Sequence, residues 1–89
     1  MKFEWDDVKA AANRAKHGVP FEDVTDFDWN ASVDTPDHRK NYNEQRVIAT
    51  STIRGRPHVL VYVKRNEWVR VISLRKANKR EVSKYEKAQ

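Results

Sequence analysis

The chain has 89 residues, 38% hydrophobic and 35% charged, which is enough for one small domain over residues 1–89 and too little for a two-domain enzyme. With no cysteine and three scattered histidines, a disulfide framework and a cysteine-rich zinc site are excluded, and the composition suits a reducing cytoplasm. The net charge of +5 is held unevenly: residues 1–45 carry six Lys/Arg against ten Asp/Glu, and residues 46–89 carry twelve against three, so the C-terminal half is a polyanion-attracting surface.

The longest apolar stretches fall far below the roughly 20 residues of a membrane-spanning helix. The opening MKFEWDD lacks the apolar core of a signal peptide, so a soluble, cytoplasmic protein is expected. Residues 2–5 read as a short extended segment. Asp6 stands where an N-cap carboxylate accepts from an unpaired amide, and Val8, Ala11, Ala12 and Ala15 follow at the steps of one helical face. Gly18 ends that pattern with Lys16 and His17 in the last turn, which predicts a helix over about residues 7–17. Pro20 suits the first position of a second helix, with Glu22 and Asp23 in its first turn. Phe21, Val24 and Phe27 form its apolar stripe, and it ends near Trp29. Residues 30–44 are polar and turn-rich, too charged to build core, with an edge strand expected at 32–34.

Three strands are expected at 45–53, 58–64 and 68–74, an antiparallel meander with turns at Arg54-Gly55-Arg56 and Arg65-Asn66. Alternation sets Val59, Val61 and Val63 against His58, Leu60, Tyr62 and Lys64, and Val69 and Val71 against Trp68, Arg70, Ile72 and Leu74. The valine face reads as core and the mixed face as a binding surface. Residues 75–89 read as a helix with a thin apolar stripe of Leu74, Ala77, Glu81, Tyr85 and Ala88 at three- and four-residue steps, its other faces carrying Arg75, Lys76, Lys79, Arg80, Lys84 and Lys87. The fold class expected is α+β: two N-terminal helices, a small antiparallel sheet of that meander plus short N-terminal strands, and a basic C-terminal helix.

Two glycines cannot build a phosphate-cradling loop, no acidic cluster has calcium-loop spacing, and neither a serine nor a cysteine triad has support. No cofactor or metal is expected. Arg, Lys, His and Tyr side chains converging on a half-polar sheet face suit RNA.

The elements FEWD at residues 3–6, Lys9-Ala10, Asn13, KHGV at 16–19, FED at 21–23 and the run RVISLRKANKRE with Tyr85 resemble the BrnT toxins of bacterial type II toxin–antitoxin systems. The resemblance covers nearly the whole chain in register. Leu74 replaces the more usual alanine of the C-terminal run, and residues 30–45 match weakly. It implies a fold similar to the RelE and ParE toxins and a ribonuclease that arrests translation. It also implies a BrnA-like antitoxin whose ribbon-helix-helix portion binds operator DNA, so that toxin and antitoxin form a hetero-oligomer.

Metal-free RNA cleavage needs a base for the ribose 2′-hydroxyl, a cation for the phosphorane-like dianion and an acid for the leaving 5′-oxygen. The planar fork of arginine suits the second task, and Arg70 and Arg75 are the first choices. His17 can serve as acid or base, or only complement the end of its helix. Lys16, Arg80, His58 and Tyr62 complete the expected substrate contacts. The competing readings are an inactive basic module that binds an antitoxin or nucleic acid, and a ParE-like gyrase poison.

Overall fold

The computed structural model describes residues 1–41 and 43–89. Its elements run β1 (Lys2–Glu4), α1 (Asp7–His17), two 3₁₀ segments (Phe21–Asp26 and Trp29–Ala31), β2 (Val33–Pro36), β3 (Arg46–Ile53), β4 (Arg56–Arg65), β5 (Trp68–Lys76) and α2 (Lys79–Lys87). The first helix starts and stops for the reasons its sequence gives. The Asp6 carboxylate accepts from the amides of Val8 and Lys9 at 2.8 and 3.1 Å. Gly18 takes φ 74, the left-handed conformation open to glycine, and its N–H closes the helix on Arg14 O at 2.8 Å.

The second N-terminal helix does not form; its place is taken by the two 3₁₀ segments. Phe21, Val24 and Phe27 recur every third residue, a spacing that fits a 3.0-residue turn as well as a 3.6-residue one. Tertiary pairing decides between them: Phe27 bridges Ile53 and Asp28 N–H donates to Thr52 O, which draws the chain out of the helix.

The three-strand meander is likewise part of something larger, a five-stranded mixed sheet in the order β1-β5-β4-β3-β2. Residues 2–4 lie parallel to β5, with Phe3 opposite Val69, a pairing between distant segments that no local pattern announces. The edge strand β2 pairs antiparallel with β3. At the β3–β4 turn Arg54 and Gly55 both have positive φ, as a type I′ hairpin requires, and the arginine is held there by Asp23 and Asp26. The final strand runs on to Lys76, so the last helix begins later than expected, behind a capping box between Asn78 and Glu81.

A bulge breaks the alternation of β5: Val61 pairs with Ser73 and Tyr62 with Val71, which leaves Ile72 unmatched. Leu74 is thereby moved to the side of Val69 and Val71, and Arg75 to the side of Arg70. The expected division of faces is revised accordingly. The inner face presents Ala49, Ile53, Leu60, Tyr62, Val69, Val71 and Leu74 to Val19, Phe21, Val24 and Phe27, forming the main core. Val59, Val61 and Val63 are buried too, but on the outer face and outside that cluster. Aromatic edges close the inner layer, with Trp29 set edge-on to Tyr62 at 5.4 Å and Trp5 to Phe21 at 6.0 Å.

One buried polar side chain joins helix to sheet. Beyond Arg70, β5 has no strand on its β1 side, and Asn13 of α1 fills the position. Its Nδ2 donates to Leu74 O at 2.7 Å and Val19 O at 3.2 Å, and its Oδ1 accepts from the Leu74 amide at 3.2 Å. Among the described residues no helix is long and apolar enough to cross a membrane.

Replacing Asn13 by alanine leaves buried backbone groups of Leu74 and Val19 without partners, at a cost of about 2–3 kcal/mol. Urea unfolding of Asn13→Ala is expected to show that loss with an unchanged m-value. A loss below about 0.5 kcal/mol would contradict the role given to this contact.

Candidate functional site

The outer face of the sheet holds the charged groups. Register places Lys2 and Glu4 of β1, Trp68, Arg70, Ser73 and Arg75 of β5, Arg65 of β4 and Arg46 of β3 on it. The second helix is tied across this face at two points. Near its start Arg75 holds Glu81, and near its end the Tyr85 hydroxyl donates to Ala31 O at 2.9 Å, on the far side of β4 and β3. Val59, Val61, Ala77 and Tyr85 are buried and lie outside the main core, as a small second layer beneath such a helix would.

Arg75 is fixed rather than free. Its two terminal nitrogens donate to the two Glu81 oxygens at 2.7 and 2.8 Å, and Glu81 in turn accepts from the Asn78 amide at 2.9 Å. Hydrogen bonds from Arg75 pull the Glu81 carboxyl down to about 2, against a smaller desolvation effect. The pair therefore stays ionised across the physiological range. Its stabilisation is complete above the ordinary carboxylate range and is lost as the pH falls toward 2.

Arg70 is held much more loosely. Its nearest acid, Glu4 Oε1, is 3.8 Å away, beyond hydrogen-bond range, and the two side chains are 30% and 35% exposed. Among the described residues Arg70 has no hydrogen-bonded partner. Arg46 and Arg65 share Glu44 at 3.5 Å each. Arg39 forms a two-pronged contact at 2.8 Å with Asp37, whose side chain is fully buried, and the charge of Arg39 reaches Arg75.

The remaining expected site residues divide between two faces. His17 ends α1, one turn beyond Asn13, and its pKa is lowered, first by desolvation and then by the charges of Lys16 and Arg75. His17, Lys16 and Arg75 thus form one electrostatic group at the C-terminal end of β5. Arg70 lies roughly 16 Å away along the strand, five residues at ~3.3 Å each. Arg80 is on α2 and, among the described residues, makes no ion pair, nor does Lys16.

His58 and Tyr62 are not part of this surface. His58 is buried with Nδ1 2.7 Å from Arg56 O, its pKa lowered chiefly by burial. Tyr62 donates to Asp34 at 3.0 Å on the inner face, and burial together with the Asp34 charge pushes its hydroxyl up to about 12. Asp34, Asp37, Glu44, Val47 and Tyr62 are among the residues that line a cavity of about 550 Å³, so the segment expected to be too charged for core contributes a buried Asp37 and, in Asp34, the acceptor of the Tyr62 hydroxyl.

Sequence reasoning missed Glu4 and Glu81 as arginine partners. Glu4 depends on the parallel pairing of β1, which leaves no local mark. Glu81 was legible, because Asn78-x-x-Glu81 ahead of an apolar stripe is the capping-box spacing.

A family model described as "Ribonuclease toxin, BrnT, of type II toxin-antitoxin system" matches residues 5–81. No curated protein matches the chain.

Because the Arg75 charge contributes to the lowered pKa of His17, Arg75→Ala is expected to raise the His17 pKa toward its ordinary 6.5. An NMR titration of the imidazole protons measures this directly. An unchanged or lower value in the folded variant would separate the two residues.

Proposed function

The chain belongs to the BrnT family of ribonuclease toxins of type II toxin–antitoxin systems, and from that membership we propose a metal-independent endoribonuclease whose phosphate-binding residue is Arg70. The observation that supports this choice is the state of the guanidinium: half-buried on the outer face, charged, and without a hydrogen-bonded partner among the described residues. A substrate phosphate can take both of its prongs while displacing only a 3.8 Å contact with Glu4.

The reaction is an internal transesterification. A base removes the proton of a ribose 2′-hydroxyl, and the oxygen attacks the adjacent phosphorus. The P–O5′ bond then breaks, leaving a 2′,3′-cyclic phosphate and a 5′-hydroxyl that takes a proton from the acid. Arg70 offsets the charge of the phosphorane. Glu4 stands beside Arg70 as the nearest carboxylate, placed to accept the first proton once the phosphate has drawn the arginine away. His17, at the Arg75 end of β5, is too far along the strand to reach the phosphate held by Arg70, so in this reading a water supplies the proton of the leaving 5′-oxygen.

Arg75, preoriented by Glu81, keeps its Nε–H and one terminal N–H for a neighbouring phosphate, and Arg80 and Lys16 extend the same track. His58 and Tyr62 take packing roles in this reading.

Membership of a type II family brings an antitoxin partner. We propose that it is BrnA-like, with a ribbon-helix-helix portion that carries the pair to operator DNA. The excess of twelve basic over three acidic residues in the C-terminal half suits an acidic contact surface on it.

Arg70→Ala is expected to lower RNA cleavage by roughly 100-fold or more with folding intact, as loss of a transition-state donor does. Induced expression of both proteins, with growth and total RNA followed together, checks it in cells. Full cleavage by a folded variant removes Arg70 from the mechanism. Growth arrest with intact RNA points to a different target such as gyrase, and no arrest points to the inactive binding module.

A further inference from the structure

Trp68 is the one aromatic side chain among the large hydrophobic residues left exposed in the described structure, at 40%. It opens β5 on the outer face, two residues before Arg70, and sits in a register row between Lys2 of β1 and Arg65 of β4. Lys2 Nζ lies 5.5 Å above the ring, held there by Glu67 at 3.1 Å. Two positions along a strand span about 7 Å, so ring and guanidinium are neighbours on one surface.

The open part of this ring presents a flat, amphipathic π-surface on which a planar partner can lie. The charge around the ring selects that partner. Lys2 and Arg65 flank it in its register row and Arg70 follows two residues along β5, while the acids Glu67 and Glu44 are paired with Lys2 and Arg65 and Glu4 stands 3.8 Å from Arg70. A flat π-surface flanked by cations and continuous with a loosely held arginine is the arrangement on which unpaired nucleobases stack.

We propose that Trp68 is a nucleobase-stacking subsite for single-stranded RNA, adjoining the phosphate held by Arg70. The inference rests on the nuclease reading for the identity of the RNA, not for the existence of the subsite. On binding, the base replaces the Lys2 ammonium over the ring, and the ammonium moves to the flanking phosphate. Recognition at this position is by ring overlap, so it tolerates different bases.

The test uses the full chain and a 2′-O-methyl oligonucleotide, which binds without being cut. Trp68→Ala is expected to weaken binding roughly 5- to 100-fold and Trp68→Phe to restore most of it. An oligonucleotide series with an abasic site moved along it contains one member that Trp68→Ala and the unaltered protein bind equally. Equal affinity of the folded Trp68→Ala and unaltered proteins for the intact oligonucleotide overturns the subsite. So does a variant that keeps RNA affinity but loses its antitoxin, which would assign the ring to the protein partner. A chain that shows the Trp68-dependent binding yet cuts no RNA keeps the subsite and removes the nuclease reading.

Discussion

Three hydrogen bonds from a single carboxamide set the relation between helix and sheet. Asn13 reads the Leu74 amide and carbonyl together, as a neighbouring strand would, and ties the segment after the helix through Val19 O. The sheet edge needs this because β1 covers only residues 68–70 of β5. Once α1 is fixed there, Val19 and Phe21 are delivered to the core, and His17 is brought within electrostatic reach of Arg75. An apolar side chain at position 13 would fill the space and leave the edge unsatisfied, which is why the buried residue is polar.

The second constraint is the extra residue in β5. With Ile72 unmatched, Arg70 and Arg75, five positions apart, share the outer face, whereas strict alternation would turn one of them into the core. The two arginines then meet different fates. Arg75 is occupied by Glu81, whose own position is set by the cap of α2, so this donor is rigid and costs little to reorganise. Arg70 faces only a distant Glu4 and stays available to an anion. One strand thus carries a fixed cation and a free one, an arrangement suited to holding an extended polyanion along its length.

Local chemistry was readable from the sequence wherever a single residue decides it. Asp6 and Gly18 bound the first helix, and Gly55 marks a hairpin whose strands are close to those expected. Where two periods coincide the sequence misleads: the threefold spacing of Phe21, Val24 and Phe27 suits either kind of helix, and the bridge from Phe27 to Ile53 makes the choice. The parallel pairing of β1 with β5 joins residues more than 60 positions apart, so it was invisible, and with it the contact between Glu4 and Arg70. The bulge was equally hidden, because Ile72 continues the alternation on paper. Its consequence is that Tyr62 and His58, expected beside Arg70, belong to the opposite face.

If the arginines of the outer face drive RNA cleavage by internal transesterification, the reaction needs no metal ion and leaves characteristic ends. The most direct measurement incubates the purified chain with a short single-stranded RNA in excess EDTA and determines the chemistry of the new ends. The expected result is cleavage that EDTA does not impair, with 2′,3′-cyclic phosphate and 5′-hydroxyl termini. Cleavage abolished by EDTA and restored by a divalent cation, or termini bearing a 5′-phosphate, would contradict it.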